Sequence, residues 1–323
     1  WAKSNHQKAS IFAEHLENTF KPNEHSGDVP IINFVQTDDL QFTLCSTLEV
    51  KNAIKKLKLK KAPGFDLITA EILRELPANA LCGLTAVMNA CLKLKYVPSF
   101  WKVAEVIMIN KPGKPPNEVT SYRPISLLPV MSKLLEKLFL KQLMPVINSK
   151  NLIPNHQFGF RENHSTIEQV HRITNVIEKS FEEKKVCSAV FLDVAQAFDK
   201  VWHEGLIQKL RQNLPQAYCD FLLSYLSDRY FRVKYEDAFS ELKPIAAGVP
   251  QGSILGPILY LLFTNDLPTS SIHTTATFAD DTAILAVGNT VRESTKNLQK
   301  ALNSITAWTR KWRIKLNNEK SVH

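Results

Sequence analysis

The chain has 323 residues, of which 44% are hydrophobic and 22% are charged, a composition that excludes a disordered, collagen-like or coiled-coil protein. Its net charge of +9 favours a polyanionic partner such as a nucleic acid, although solubility alone also accounts for such a surplus. Five scattered cysteines without a CxxC pair exclude a disulfide framework and a zinc motif, and indicate a reducing compartment. The apolar runs are shorter than the roughly 18 residues that a membrane span needs.

The spacing of apolar residues predicts many helices and a few strands. Helices are expected at 1–20, 46–61, 69–76, 80–95, 125–148, 165–184, 203–213, 215–227, 254–263 and 292–311. Strands are expected at 102–110, 186–192 and 230–235, and two more within 274–287. The sequence therefore predicts an α+β fold in which helices dominate. Because the chain begins with Trp1 and its first methionine is Met88, we expect it to be a piece of a larger polypeptide.

Three carboxylates stand where predicted strands end. Asp193 follows the strand 186–192, and Asp280 and Asp281 lie where the two strands within 274–287 meet. Carboxylates this close together repel one another, and apolar surroundings raise that cost, so a divalent cation is a suitable partner. Three such groups can hold two Mg²⁺ about 3.5–4 Å apart for in-line phosphoryl displacement. The alternative is that Asp280 and Asp281 only form a hairpin turn.

Further motifs surround these carboxylates in a fixed order along the chain. They are Lys61-Ala62-Pro63-Gly64-Phe65-Asp66, Ser121-Tyr122-Arg123-Pro124-Ile125-Ser126, Gln157-Phe158-Gly159-Phe160-Arg161, Leu192-Asp193 with Ala197-Phe198-Asp199, Gly248-Val249-Pro250-Gln251-Gly252-Ser253, Phe278-Ala279-Asp280-Asp281 and Leu316-Asn317-Asn318-Glu319-Lys320-Ser321. Together they resemble the reverse transcriptases of non-LTR retrotransposons, closest to the jockey-like elements of insects. The resemblance covers residues 46–321.

The resemblance implies a right-hand polymerase fold. Helical fingers are expected at 46–185 and a palm at 186–323, in which a small antiparallel sheet is backed by helices and 203–240 includes an inserted helical stretch. Residues 1–45 are expected to be a connector after an upstream endonuclease region. A thumb domain is expected to be missing, since the chain stops soon after the last motif.

The resemblance also implies a metal site. Asp193, Asp280, Asp281 and the backbone carbonyl of Val194 are similar to the family's ligands for two Mg²⁺, with Mn²⁺ as an alternative ion. Lys320 resembles a lysine near the pyrophosphate leaving group, where it could donate a proton. The alternative for Lys320 is an exposed lysine without such a role.

A nucleotide site is implied by four further positions. Phe198 resembles the residue that stacks under the incoming sugar and clashes with a 2′-hydroxyl, unless it is only a core residue. Gln251 resembles a residue that contacts the sugar or template, unless its loop is only a tight turn. Arg123 is expected to hold the dNTP phosphates with help from Lys111 and Lys114, which are otherwise solvated lysines.

The expected function is therefore RNA-directed DNA polymerisation. The partners would be template RNA, a primer DNA 3′-hydroxyl and dNTPs, without a membrane, in the cytoplasm first and in the nucleus at the point of action. The lysine run 51–61 is expected to contact the template backbone, or else to be the solvated face of a helix or a nuclear localisation signal. Alternatives are a truncated, inactive copy that only binds nucleic acid, and a group II intron maturase-like reverse transcriptase. A viral RNA-dependent RNA polymerase is disfavoured by Ala279 and Phe198.

Overall fold

The computed structural model describes residues 3–24 and 40–323. Within them the helices are α1 Asn5–Thr19, α2 Thr47–Lys55, α3 Ala70–Arg74, α4 Ala78–Leu94, α5 Val130–Ser149, α6 Thr166–Glu182, α7 His203–Asn213, α8 Gln216–Leu226, α9 Gly256–Phe263 and α10 Val291–Lys311. The strands are β1 Val103–Asn110, β2 Tyr122–Leu127, β3 Val186–Leu192, β4 Arg229–Tyr235, β5 Ala238–Phe239, β6 Lys243–Ile245, β7 Thr274–Phe278 and β8 Asp281–Gly288. No helix in the described part of the chain is long and apolar enough to span a membrane.

A first sheet has the order β2-β1-β4-β5, and β6 pairs with β4. Strands β1 and β2 are antiparallel, whereas β1 and β4 run parallel. Helix α1 packs on this sheet through Phe12, Leu16 and Phe20, which contact Val106 and Phe231. The β1–β2 hairpin is thus packed against helix α1, while the loop that connects its strands is exposed to solvent.

A second sheet has the order β3-β8-β7 and is antiparallel throughout. Helix α10 covers one face through Leu298, Ala301 and Ile305, and α6 lies against the other through Ile173 and Val176. Because both faces are covered, these strands are short apolar runs rather than alternating ones. The small antiparallel sheet backed by helices that was predicted for the palm is confirmed.

The largest core lies between these sheets and is built from helices α2, α4, α5, α7, α8 and α9. The side chains of Phe139 and Phe221 stack at its centre with ring centroids 4.2 Å apart. Helix α9 is almost wholly buried, from Gly256 to Phe263. This core fixes the position of the loop that precedes α9.

The sequence patterns placed most elements correctly, but they missed the short strands β5 and β6 and made two errors at longer elements. The helix predicted at 125–148 begins only at Val130, because Tyr122–Leu127 forms strand β2 and pairs with β1. The lysine-rich helix ends at Lys55 rather than near Lys61, so most of the lysines in the run lie beyond it.

The predicted domain limits remain predictions, with one structural qualification. Strand β4 falls within the predicted palm segment 186–323, yet it pairs with β1 of the predicted fingers segment. Of the predicted connector 1–45, residues 1–2 and 25–39 lie outside the described residues.

Candidate active site

The three carboxylates Asp193, Asp280 and Asp281, here called the acid cluster, meet at one end of the second sheet. Phe278 pairs with Asp281 across the turn between β7 and β8, which leaves Ala279 and Asp280 as the two turn residues. Asp193 follows the last residue of β3, which is paired with the second residue of β8. The sheet pairing therefore brings together groups that are nearly 90 residues apart in sequence.

Electrostatic coupling within the acid cluster follows from this placement. Burial raises the pKa of Asp280, and the negative charges of Asp281 and Asp193 raise it further, while Lys320 lowers it. Burial also raises the pKa of Tyr260, and all three carboxylates add to that shift. The cluster is thus a concentration of negative charge beside a buried aromatic residue.

The donor chemistry of the acid cluster fits a hard divalent cation, since carboxylate oxygens are the ligands that Mg²⁺ prefers. Mutual repulsion within the cluster is relieved when a cation binds. As the side chains stand, however, no three His, Cys, Asp or Glu groups in residues 3–24 and 40–323 converge on a single ion position. The assignment of Asp193, Asp280 and Asp281 as metal ligands therefore rests on their donor chemistry and remains a prediction.

The last motif lies along the strand that carries Asp193. The N–H of Asn317 donates to the carbonyl of Asp193 at 2.8 Å, and Val194 forms an antiparallel bridge with Leu316. This pairing places the Lys320 Nζ 3.7 Å from an oxygen of Asp193, with the lysine side chain 70% exposed. Lys320 thus forms an ion pair with the acid cluster. Val194, the predicted carbonyl ligand, directly follows Asp193 and pairs with the last motif at Leu316.

Phe198 lies behind the acid cluster and is half-buried. Its ring stacks on Tyr260 with centroids 4.7 Å apart, and Phe160 meets it edge to face at 5.9 Å. Phe198 thus packs on Tyr260, the residue whose pKa is raised by burial and, to a smaller extent, by the charges of the acid cluster.

The loop that carries Gln251 is held close to the backbone of two other motifs. The amide nitrogen of Gln251 donates to both carboxylate oxygens of Asp199, at 2.8 and 2.9 Å. Gly248 and Gly252 have φ of +93° and +103°, and a Cβ on them would lie 2.6 Å from the Asp199 carbonyl oxygen and 2.9 Å from that of Ser126. These glycines therefore permit close packing of protein backbone.

Asp199, the partner of Gln251, is a buried acid. Burial raises its pKa to about 6, against the hydrogen bond from Gln251 and the charges of Lys200 and Lys111. The carboxylate and the Gln251 amide thus fix each other in one orientation.

Three predicted phosphate-binding residues lie on the β1–β2 hairpin, here called the cation hairpin: Lys111, Lys114 and Arg123. Arg123 is exposed on β2, where it pairs with Ile109, and both lysines lie in the connecting loop. Burial lowers the pKa of Lys111, and Arg123, Lys320 and Lys114 lower it further. Lys111 of the cation hairpin is therefore within electrostatic range of Lys320, whose Nζ lies 3.7 Å from an Asp193 oxygen.

Comparison with known proteins identifies the family. A family model described as reverse transcriptase (RNA-dependent DNA polymerase) matches residues 109–323. The chain belongs to this family. In Drosophila melanogaster it is 41% identical to the probable RNA-directed DNA polymerase from transposon BS and 40% identical to the RNA-directed DNA polymerase from mobile element jockey, over 100% of this chain in both cases. It is also 38% identical to the probable RNA-directed DNA polymerase from transposon X-element of the same species, over 99% of the chain.

This reverse transcriptase chain spans 37% of the length of each of those relatives. The predicted resemblance to jockey-like non-LTR elements is confirmed, and so is the predicted α+β polymerase fold. The roles of the individual site residues remain predictions.

Two residues that support the site had no role in the sequence analysis. Glu136 of α5 is buried, and its carboxylate accepts hydrogen bonds from the N–H groups of Ile254 and Leu255 at 2.7 and 3.0 Å, at the start of α9. An acid on the apolar face of a helix was the available signal. The second is Gln157, which belongs to a quoted motif and contacts the turn between β7 and β8.

Proposed function

We propose that this reverse transcriptase copies the RNA of a non-LTR retrotransposon into DNA by two-metal phosphoryl transfer. The observation that carries this proposal is the position of Lys320, whose Nζ lies 3.7 Å from an oxygen of Asp193 and whose charge also acts on Lys111 of the cation hairpin. An acid cluster suits metal ions, and a facing set of cations suits a triphosphate. Both are needed to transfer a nucleotide to a primer hydroxyl.

The residues divide into two sets in the proposed reaction. Asp193, Asp280 and Asp281, with the carbonyl of Val194, hold two Mg²⁺ or Mn²⁺. When bound, the ions acidify the primer 3′-hydroxyl and stabilise charge on the transferring phosphoryl group. Lys320 supplies a proton to the departing pyrophosphate.

The second set selects and orients the nucleotide. Arg123 pairs with the triphosphate, and Lys111 and Lys114 add positive charge. Phe198 occupies the space of a 2′-hydroxyl, so dNTPs are preferred over rNTPs. Gln251, fixed by Asp199, contacts the sugar or template beside the new base pair.

The partners in this proposal are template RNA, a DNA primer end and dNTPs. The lysine run 51–61 contacts the template backbone through charge, so that binding weakens with salt. We further propose that an endonuclease domain lies upstream in the parent polypeptide, and that the protein acts in the nucleus after synthesis in the cytoplasm.

A primer-extension assay tests the proposal directly. Incorporation of dTTP on poly(rA)/oligo(dT) with Mg²⁺ is measured for the wild type and for the Asp280→Asn, Asp281→Asn double variant. Asp237→Asn is the matched control, since Asp237 is an exposed acid in the β4–β5 connection. Incorporation by the wild type and the control, but not by the double variant, is expected.

Two other outcomes contradict the proposal in different ways. Template–primer binding without incorporation by the wild type points to an inactive copy, and addition of downstream residues of the parent polypeptide then tests whether truncation is the cause. Equal incorporation by the double variant removes the acid cluster from the chemistry.

A further inference from the structure

We propose that Gln157 is a positioning residue that fixes the turn bearing Asp280 and Asp281. Gln157 is only 4% exposed, so its polar side chain must find hydrogen-bond partners within the protein. The catalytic consequence of this inference rests on the proposed function, whereas the contact itself can be tested without activity.

Gln157 satisfies both backbone polar groups of Ala279, the first residue of the turn. Its side-chain oxygen accepts hydrogen bonds from the N–H of Ala279 at 2.9 Å and from the N–H of Gly159 at 2.7 Å. Its side-chain nitrogen donates to the Ala279 carbonyl at 3.2 Å. One buried amide therefore holds the peptide groups on both sides of Ala279.

Ala279 needs such support because of its backbone conformation. Its φ is +59°, in the left-handed region that residues with a Cβ rarely adopt. Two-residue hairpin turns usually place Gly or Asn at such positions. An alanine there persists when surrounding contacts over-determine the turn, and Gln157 supplies these contacts.

Gly159 adds a steric constraint to the hydrogen bonds. A Cβ on Gly159 would lie 2.2 Å from the Ala279 nitrogen, so this position must be a glycine for the two segments to meet. The turn is thus pressed against the backbone of residues 157–159 as well as hydrogen-bonded to it.

The segment that carries Gln157 is itself attached to β7, next to the turn. The N–H of Phe158 donates to the Thr277 carbonyl, and the N–H of Thr277 donates to the His156 carbonyl, both at 2.9 Å. The buried amide of Gln169 on α6 bridges those two carbonyls at 2.8 Å each. The segment that carries Gln157 is therefore hydrogen-bonded to β7, which holds Gln157 in a fixed position relative to the turn.

Loss of this support should affect the rate rather than binding. A misplacement of reacting groups by about 1 Å can cost about 100-fold in rate. The Gln157 side chain bonds to Ala279 and Gly159, and not to the lysine run 51–61 that is proposed to contact the template or to the cation hairpin that is proposed to bind the triphosphate. We therefore expect a fall in kcat with little change in template–primer Kd.

Two variants remove the support by different means, and a third is the matched control. Gln157→Met removes all three hydrogen bonds at similar volume, and Gly159→Ala pushes the turn away while leaving Gln157 in place. Gln142→Met is the control, because Gln142 also accepts from a backbone N–H and donates to the carbonyl of the same residue, Thr43, both at 2.9 Å.

The kinetic experiment measures kcat, template–primer Kd and Tm for the three variants, at a temperature where all are folded. For Gln157→Met and Gly159→Ala a fall in kcat of about 10- to 100-fold is expected, with Kd within about twofold of wild type. Gln142→Met should keep the wild-type kcat. An unchanged kcat in folded Gln157→Met overturns the proposal. The proposal is also overturned if kcat falls in proportion to the fall in Tm, and does so to the same extent in the Gln142→Met control.

Amide hydrogen exchange separates this inference from the proposed function. In Gln157→Met, exchange at the Ala279 and Gly159 amides should accelerate about tenfold or more, while amides of α10 stay unchanged. If the wild type is inactive and this local acceleration is still seen, the proposed function is contradicted but the positioning role of Gln157 is retained. Unchanged exchange at the Ala279 amide overturns the positioning role of Gln157, whether or not the protein is active.

Discussion

The acid cluster and the cation hairpin are both within electrostatic range of Lys320 but are held in different ways. The backbone of Asp280 is fixed by sheet pairing on both sides and by the buried amide of Gln157. On the cation hairpin, Arg123 and Lys114 are exposed, and their long side chains are free to adapt. Metal coordination requires placement to within tenths of an ångström, whereas attraction of a triphosphate tolerates movement. The difference in rigidity follows from that difference in chemistry.

The two regions also differ in electrostatic cost. In the acid cluster, burial raises the pKa of Asp280, and the charges of Asp281 and Asp193 raise it further. The exposed cations are screened by water and salt. Substitutions in the acid cluster are therefore expected to have larger and less salt-dependent effects than those on the cation hairpin.

The largest effect is expected from Asp193→Asn. The substitution keeps the shape but removes a proposed metal ligand, so kcat should fall by about 10³-fold or more in primer extension. Stability should change little, because the ion pair with Lys320 is largely exposed. A kcat within tenfold of wild type would contradict the proposed role of the acid cluster.

Asp199 lies between the two regions and should show its effect in stability. Its pKa is raised to about 6 by burial, so the folded state binds its proton more tightly than the unfolded state does. The stabilisation is complete below about pH 4 and is lost as the pH rises towards 6, to a total of about 3 kcal/mol. In urea unfolding, Asp199→Asn should gain stability relative to wild type by up to this amount between pH 4 and 7.5.

Asp237→Asn is the control for that pH series. A hydrogen bond from Asn5 lowers the pKa of Asp237, which stabilises the folded wild type as the pH rises. The stability of Asp237→Asn relative to wild type should therefore fall with rising pH. A relative stability of Asp199→Asn that does not vary with pH would show that Asp199 is not a buried acid in solution.

Phe198→Val tests the proposed selection against a 2′-hydroxyl. Removal of the ring opens space for a 2′-hydroxyl, so the ratio of kcat/KM for dTTP over rUTP should fall by about 10- to 200-fold. Because the ring also stacks on Tyr260, Tm is measured beside the kinetics. A preserved ratio in a folded variant would leave Phe198 as a packing residue only.

On the cation hairpin, Arg123→Ala should raise KM for dTTP by about 10- to 100-fold, since a charge-assisted hydrogen bond contributes about 1.5–3 kcal/mol. Arg123→Lys should show a smaller rise, because it keeps the charge but loses the two-pronged geometry. Arg292→Ala, an exposed site at the start of α10, is the control. A larger effect on kcat than on KM would contradict the proposed division between the two regions.

The smallest effect is expected from Lys320→Gln. A fall in kcat of about tenfold with unchanged primer binding is expected, less than an ideal general acid gives because Lys320 is 70% exposed. Lys315→Gln, also exposed, is the control. An unchanged kcat would exclude Lys320 from proton transfer.

Local patterns were sufficient for most of the fold. Strand β3 was predicted with its exact limits, because an apolar run bounded by charge has few other solutions, and the capping box at Ser165 and Glu168 set the start of α6. Strand β2 was missed because only Leu128 and Pro129 separate its apolar residues from those of α5. Its strand character depends on pairing with β1, which no local pattern contains.

The sequence by itself determined the family, the α+β fold and the identity of the candidate site residues, because motif order and apolar period are properties of the linear chain. Only the tertiary structure decided which residues support them. Gln157 and Ala279 are 122 positions apart, and Gln251 and Asp199 are 52 apart. Such hydrogen bonds depend on where the elements pack, and buried polar groups must find partners wherever the packing brings them together.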